Sequence, residues 1–190
     1  MVDYSKYQNI KVEKKDKIAT VTLNRPESLN AMDSQTMDEY ESVISELSKD
    51  DEVRVIILTG AGRAFSAGGD IKGMKARLED PARQAEFILG PEMRRSKQLL
   101  LNMVDMEKPI ICALNGVASG LGATIALFCD IIIAAKTARI GDPHVRVGIV
   151  AGDGGCVIWP LLVGPARAKE YLLTGDLVNA EEAERIGLIN

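Results

Sequence analysis

The chain is poor in aromatic residues: one Trp, four Tyr and three Phe make up 4% of its 190 residues. A core of this composition has to be packed from Ile, Val, Leu, Ala and Met. A basic excess is also missing, since 23 Lys and Arg stand against 27 Asp and Glu, for a net charge of −4. Such a surface does not neutralise a phosphate backbone, which excludes nucleic acid as the principal partner. Uninterrupted apolar runs end after about five residues, as in Ile110–Leu114 and Ile131–Ala135, against the roughly 20 that a bilayer-spanning helix needs. No membrane partner is expected. The N-terminal stretch carries Asp3, Lys6, Lys11, Glu13, Lys14 and Lys15 with no apolar block and no small-residue cleavage site, which predicts a cytoplasmic protein without a secretory leader.

Cysteine is scarce as well. Cys112, Cys129 and Cys156 stand singly, with no C-x-x-C pair, which excludes a disulfide framework and a zinc site. All three are expected to be small buried hydrophobes. With His144 as the sole histidine and the carboxylates scattered along the chain, no metal site is expected.

What is present is an alternation of β-branched runs and helical patterns. Ile18–Leu23 reads as a strand that stops at Asn24-Arg25-Pro26. From Ser34 to Lys49 the apolar residues Met37, Tyr40, Val43, Ile44 and Leu47 recur at helical spacing behind Asp33, a capping residue. Val53–Thr59 has the near-continuous β-branched pattern of a strand covered on both faces and closed by Gly60, which predicts a parallel or mixed interior sheet. A helix over Met93–Met106, a strand over Ile110–Leu114, a helix from about Gly122 to Cys129 and a strand over Ile131–Ala134 repeat the scheme. Asn179 and Glu182 have capping-box spacing, and Gly187 suits the residue just past a helix end. The chain stops at Asn190 where a further strand is expected, the pattern expected of a truncated chain, a processed product or an incomplete sequence. With no linker or low-complexity tract, residues 1–190 are read as one domain.

Two glycine-rich bends follow buried strands, Gly60–Asp70 and Asn115–Gly122. Glycine permits close backbone approach and positive φ, so either bend can aim N–H groups at an anion or a polarised carbonyl, or be a plain tight turn. No Gly-Lys-Ser/Thr closes either one, and Gly60 and Gly62 are followed by Phe65 where a dinucleotide fingerprint needs glycine, so both nucleotide-binding loops are excluded.

Leu23-Asn-Arg-Pro26 with Leu29-Asn-Ala31, Phe65-Ser-Ala-Gly-Gly-Asp-Ile71, Asn115-Gly116 with Gly120-Leu-Gly122, and Cys129-Asp-Ile131 together resemble the crotonase (enoyl-CoA hydratase/isomerase) superfamily. The resemblance spans nearly the whole chain. It implies an α/β fold, a crotonase-like spiral of repeated β-β-α units, in an assembly of homotrimers or paired trimers (hexamers). It also implies acyl-CoA thioester substrates of fatty-acid metabolism and no cofactor beyond the CoA that the substrate carries. Relatives continue beyond this length in helix, so the chain is expected to be the core domain without the C-terminal helical region. Carried over by motif position, the N–H groups of Gly69 and Leu121 form an oxyanion hole. Ala67, Asp70, Ile71 and Lys72 correspond to the CoA-contacting segment. Two donors fixed around an oxygen that becomes an enolate act mainly on the transition state, at about 3 kcal/mol per donor.

Two departures stand out. Hydratases of the family carry two glutamates; here Thr124, counted with the substrate-binding residues, and His144 occupy those positions. His144 then serves as acid/base. Asp153, in Gly152-Asp-Gly-Gly155, is expected either to cap its own turn or to accept a hydrogen bond from the His144 ring and hold it near its ordinary pKa of about 6.5. The frame Pro143-His144, Gly148–Gly154 and Trp159-Pro160 resembles 6-oxocamphor hydrolase and related β-diketone hydrolases, which cleave a carbon–carbon bond by a retro-Claisen route. A further histidine used by those enzymes has no match near Asn115 and Val117. Three functions follow: a lyase or isomerase acting on an acyl-CoA thioester through an enolate, a hydrolase of a β-diketone or β-ketoacyl-CoA, and a non-catalytic acyl-CoA binder or assembly subunit. Substrate selectivity is assigned to the stretch Gly73–Glu92 and to the C-terminal region expected beyond Asn190.

Overall fold

The computed structural model describes residues 3–82, 85 and 91–190, without the side chains of residues 77, 78 and 91–96. Residues 83, 84 and 86–90 of the 73–92 stretch assigned above to selectivity therefore lie outside the described residues.

Strands β1 (Ile10–Lys15) and β2 (Ile18–Leu23) form a hairpin, and β2 continues in parallel to β3 (Val55–Gly60), β5 (Ile110–Leu114) and β7 (Ile131–Ala134). A second sheet has the order β4 (Ala64–Ser66), β6 (Val117–Ser119), β8 (Arg139–Gly141) and β9 (Val178–Asn179), parallel except for the last pair. The helices are α1 (Ser34–Ser48), α2 (Ile71–Leu78), α3 (Pro91–Val104), α4 (Leu121–Leu127), α5 (Gly155–Thr174, broken at Gly164) and α6 (Ala180–Arg185). Each repeat places one strand in the large sheet, turns a corner into the small sheet, and leaves through a helix: β3-β4-α2, β5-β6-α4, β7-β8-α5. This is the expected spiral of β-β-α units, with a third turn that the sequence reading had not separated.

Burial alternates along the large sheet, as a period of two requires. Ile56 and Leu58 are buried while Val55, Ile57 and Thr59 are half-buried, so the second face is shielded rather than sealed, contrary to the expectation of full cover on both sides. Helix α1 packs Tyr40, Val43, Ile44 and Leu47 into the core, and Asp33 caps it by accepting from Thr36 N–H at 2.8 Å. Helix α4 is buried along its entire length, which its composition Leu-Gly-Ala-Thr-Ile-Ala-Leu allows. The Asn179 cap on α6 accepts from Glu182 N–H at 2.8 Å, and Gly187 takes the left-handed conformation expected of it. Cys112 and Cys129 are buried, but Cys156 is exposed, which corrects the expectation for it. It lies in the first turn of α5, whose outer face also presents Val157 and Leu161 to solvent. Among the described residues no helix is long and apolar enough to cross a membrane.

Candidate active site

Strands β4, β6 and β8 are neighbours and parallel, so their carboxyl ends lie side by side. Ligand sites of open α/β sheets collect at such ends, where loops leave the strands and backbone groups lose their ladder partners. Gly69 follows β4, Leu121 follows β6 and His144 follows β8. The strand order thus brings together three of the four residues assigned to catalysis from sequence.

The first bend is held against the chain segment after β2. Met32 N–H donates to the Gly68 carbonyl at 2.8 Å and Asp70 N–H donates to the Met32 carbonyl at 3.2 Å. That short ladder leaves the Gly69 N–H between them without a hydrogen-bond partner among the described residues. Gly68 has φ +89°, and a methyl group there would collide with the Ser119 carbonyl oxygen and stand 3.5 Å from Leu121 N. The two bends therefore press together at a point where only a glycine fits. Helix α4 begins at Leu121, one residue earlier than expected, behind Gly120 at φ +52°. Its first hydrogen bond runs from Thr124 N–H to the Gly120 carbonyl at 2.9 Å, so Leu121 N–H is one of the free first-turn donors at the positive end of the helix.

Of the assigned substrate-contacting residues, Ala67 N–H is tied to the Leu29 carbonyl at 2.9 Å and Asp70 caps α2 by accepting from Lys72 N–H at 3.0 Å. Ile71 and Lys72 are exposed at the start of α2, next to the first bend.

The histidine end is more crowded than the sequence suggests. The His144 ring lies against Gly120: a methyl group built there would stand 3.3 Å from Cε1 and 3.4 Å from Nε2. Asp142, 1% exposed, accepts a hydrogen bond at its Oδ1 from His144 Nδ1–H, and the same oxygen accepts from His144 N–H at 3.3 Å. Asp153 lies on the other side, its Oδ2 3.3 Å from Nε2 but out of line for a hydrogen bond, while its Oδ1 accepts from the Thr124 hydroxyl at 3.2 Å. The primary ring partner is thus Asp142, a residue that the sequence reading passed over, and Asp153 is second to it. The signal lay in the spacing of Gly141-Asp-Pro-His144: a carboxylate two residues before a histidine, across a tight turn.

This arrangement shifts both groups. The hydrogen bond to Asp142 raises the His144 pKa, burial opposes it, and the charges of Asp153 and Asp142 add to the rise. The expectation of an imidazole near its ordinary value is corrected upward. Burial raises the Asp153 pKa, His144 opposes this, and Asp142 adds to it. A neutral ring would leave two uncompensated carboxylates in a mostly dry site, so the cluster favours holding an extra proton. The carboxylates are not scattered: one ligand atom from each of Asp142, His144 and Asp153 lies within 4.8 Å of the others, a set that could hold a cation. His144 Nδ1 and Asp142 Oδ1 are already engaged with each other. The chemistry these residues support directly is proton transfer at Nε2.

Residues 13–190 match the family model described as Enoyl-CoA hydratase/isomerase. The chain is 45% identical over 183 residues to a short-chain-enoyl-CoA hydratase of Clostridium acetobutylicum, covering 96% of this chain and 67% of that protein. It is 42% identical over 186 residues to a crotonyl-CoA hydratase of Syntrophomonas wolfei, covering 97% and 68%. Among solved structures, an enoyl-CoA hydratase/isomerase from Mycobacterium paratuberculosis superposes with a TM-score of 0.87 at 38% identity, covering 96% of this chain and 71% of that one.

Proposed function

Because the chain belongs to the enoyl-CoA hydratase/isomerase family, we propose that it acts on an acyl-CoA thioester through an enolate bound by the Gly69 and Leu121 N–H groups, with His144 as acid/base. The observation that carries this reading is the convergence of the ends of β4, β6 and β8, which sets the His144 ring against Gly120, the residue before Leu121, where the Gly68 bend also presses. As an α-proton leaves, charge develops on the thioester oxygen, and fixed N–H donors lower the barrier because they need no rearrangement to meet it. With Nδ1–H directed at Asp142, Nε2 is the atom that exchanges the proton. Protonated, it delivers a proton to the enolate carbon; neutral, it removes one. Asp142 fixes the ring, and Asp153, steadied by Thr124, faces the charge that Nε2 gains.

A second reading is favoured by the residues at the two glutamate positions of the family's hydratases, Thr124 and His144. A histidine between two carboxylates can take a proton from water; the hydroxide adds to one carbonyl of a β-diketone or β-ketoacyl-CoA, the carbon–carbon bond breaks, and the leaving enolate collects the proton from Nε2. Both readings use the same donors, in the homotrimer or hexamer expected of the family.

Hydration of crotonyl-CoA, measured beside cleavage of a β-ketoacyl-CoA and a cyclic β-diketone, separates them. Turnover of the enoyl thioester alone supports the first reading and cleavage alone the second. Tight CoA binding without turnover on either panel would overturn both in favour of a binding subunit.

A further inference from the structure

Ser66 ends β4 and is fully buried, with no access to a substrate. Its hydroxyl is engaged on both sides: it donates to the Asn30 carbonyl at 2.8 Å and accepts from Gly68 N–H at 3.2 Å. The first partner is itself immobilised. Asn30 is buried in a left-handed conformation at φ +56°, accepts from Arg25 N–H at 2.8 Å, and donates from Nδ2 to the Ala61 and Ala64 carbonyls at 2.9 Å each. The second partner is the residue just before the Gly69 donor.

Ser66 also touches the other half of the site. A methyl group on Gly122 would stand 2.7 Å from Ser66 Cβ and 2.8 Å from Ser66 Oγ, so the first turn of α4 rests directly on this side chain. One buried serine thus hydrogen-bonds the bend that carries Gly69 and supports the turn that carries Leu121.

We propose that Ser66 is a positioning residue, a strut from Asn30 through Gly68 to Gly122 that sets the separation and aim of the two N–H donors. The inference rests on the reading of Gly69 and Leu121 as the oxyanion-binding pair. Donors of this kind act only when held to a fraction of an ångström, and a displacement of about 1 Å can cost on the order of a hundredfold in rate. A hydroxyl that satisfies a buried N–H and a buried C=O at once is an efficient way to hold such a bend, because losing it leaves both unpaired in a dry interior.

Ser66→Ala keeps the Cβ contact with Gly122 and removes both hydrogen bonds. It is expected to lower kcat by about tenfold to a hundredfold while leaving KM for crotonyl-CoA nearly unchanged, the pattern of an interaction made in the transition state. The direct readout is the carbonyl stretch of enzyme-bound [1-13C]butyryl-CoA, a saturated thioester to which water cannot add. Wild type is expected to shift the band to lower frequency than in free thioester, and Ser66→Ala to lose part of that shift. Ser66→Cys, which keeps the volume with a weaker hydrogen-bonding group, is expected to fall between the two and serves if the alanine variant does not fold. A band and a kcat at wild-type values in Ser66→Cys, or a lowered kcat with an unmoved band in either variant, overturns the proposal. Absence of any shift in wild type overturns instead the oxyanion reading on which it rests.

Discussion

Strands β2 and β3 of the larger sheet run six residues each with every second side chain buried, whereas β4, β6 and β8 of the smaller sheet are three residues long. The larger sheet joins strands by long, regular registers such as Ile18↔Val55 through Leu23↔Gly60, and its buried faces feed the main core. The smaller sheet makes only a few pairings, with an irregularity between Ala64 and Ser66, and beyond its strand ends the polar groups are left incompletely satisfied. Among the described residues, the buried side-chain oxygens without a hydrogen-bond partner are Tyr7 Oη and Glu46 Oε2, before β1 and on α1, and Asp142 Oδ2 and Asp153 Oδ2, at the end of β8 and in the loop beyond it. Length in one sheet secures stability, and shortness in the other brings the loops after β4, β6 and β8 together.

That division predicts which changes destroy activity and which destroy the fold. His144→Ala should lower turnover by roughly 10²–10⁴-fold, the usual contribution of a general acid or base, with a near-wild-type urea midpoint. Activity within a few-fold of wild type would remove His144 from the mechanism. Leu58→Ala, in the middle of β3, should do the reverse. Leu58 is fully buried, so the cavity should cost about 2–5 kcal/mol in urea unfolding, while kcat per folded molecule stays close to wild type. A large drop in kcat with intact stability would mean that the two sheets are not separate in function.

Asp142→Asn tests the boundary within the site. The amide keeps an acceptor for Nδ1–H but removes the charge, and the hydrogen bond to Asp142 is the largest cause of the raised His144 pKa. In wild type the pH–rate limb carried by His144 should lie above about 6.5, and in the variant it should move to lower pH. An unmoved limb would show that Asp142 only braces the turn.

The large sheet was legible because its strands and the α1 cap are local: β-branched runs, a breaker after Leu23, Asp33 before an apolar stripe. The two glycine bends were legible as bends, and their partnership came through the family resemblance. Asp142 was missed because its role depends on the turn at Pro143 folding it back under a ring two residues away. The third β-β-α turn was missed because β8 is short and is followed by the turn His144–Val147 rather than directly by a helix. Cys156 was misplaced because α5 carries apolar residues on an outer face, which composition alone cannot separate from a buried one.

The smallest expected effect sets the two regions against each other through pH. At the flank of the larger sheet, burial works against Asp50, yet the Lys14 ammonium, the Glu52 N–H and the Tyr4 hydroxyl together hold its pKa below the ordinary value. A lowered folded pKa contributes stability above the unfolded value of 3.8, lost as pH falls through the folded one. At the end of β8 the signs reverse. Asp153 and His144 both have raised values, so their contributions are present below 3.8 and 6.5 respectively and are lost as pH rises through the folded values. Asp50→Asn should therefore be less stable than wild type at neutral pH and converge on it in acid. Asp153→Asn should match wild type in acid and become the more stable of the two as pH rises, because it no longer carries a buried carboxylate whose charge the site disfavours. Urea midpoints of the three proteins between about pH 4 and 8 measure both differences. If Asp153→Asn instead lost stability relative to wild type as pH rose, the carboxylate would be a net stabiliser, and the smaller sheet would be built for stability at this position too.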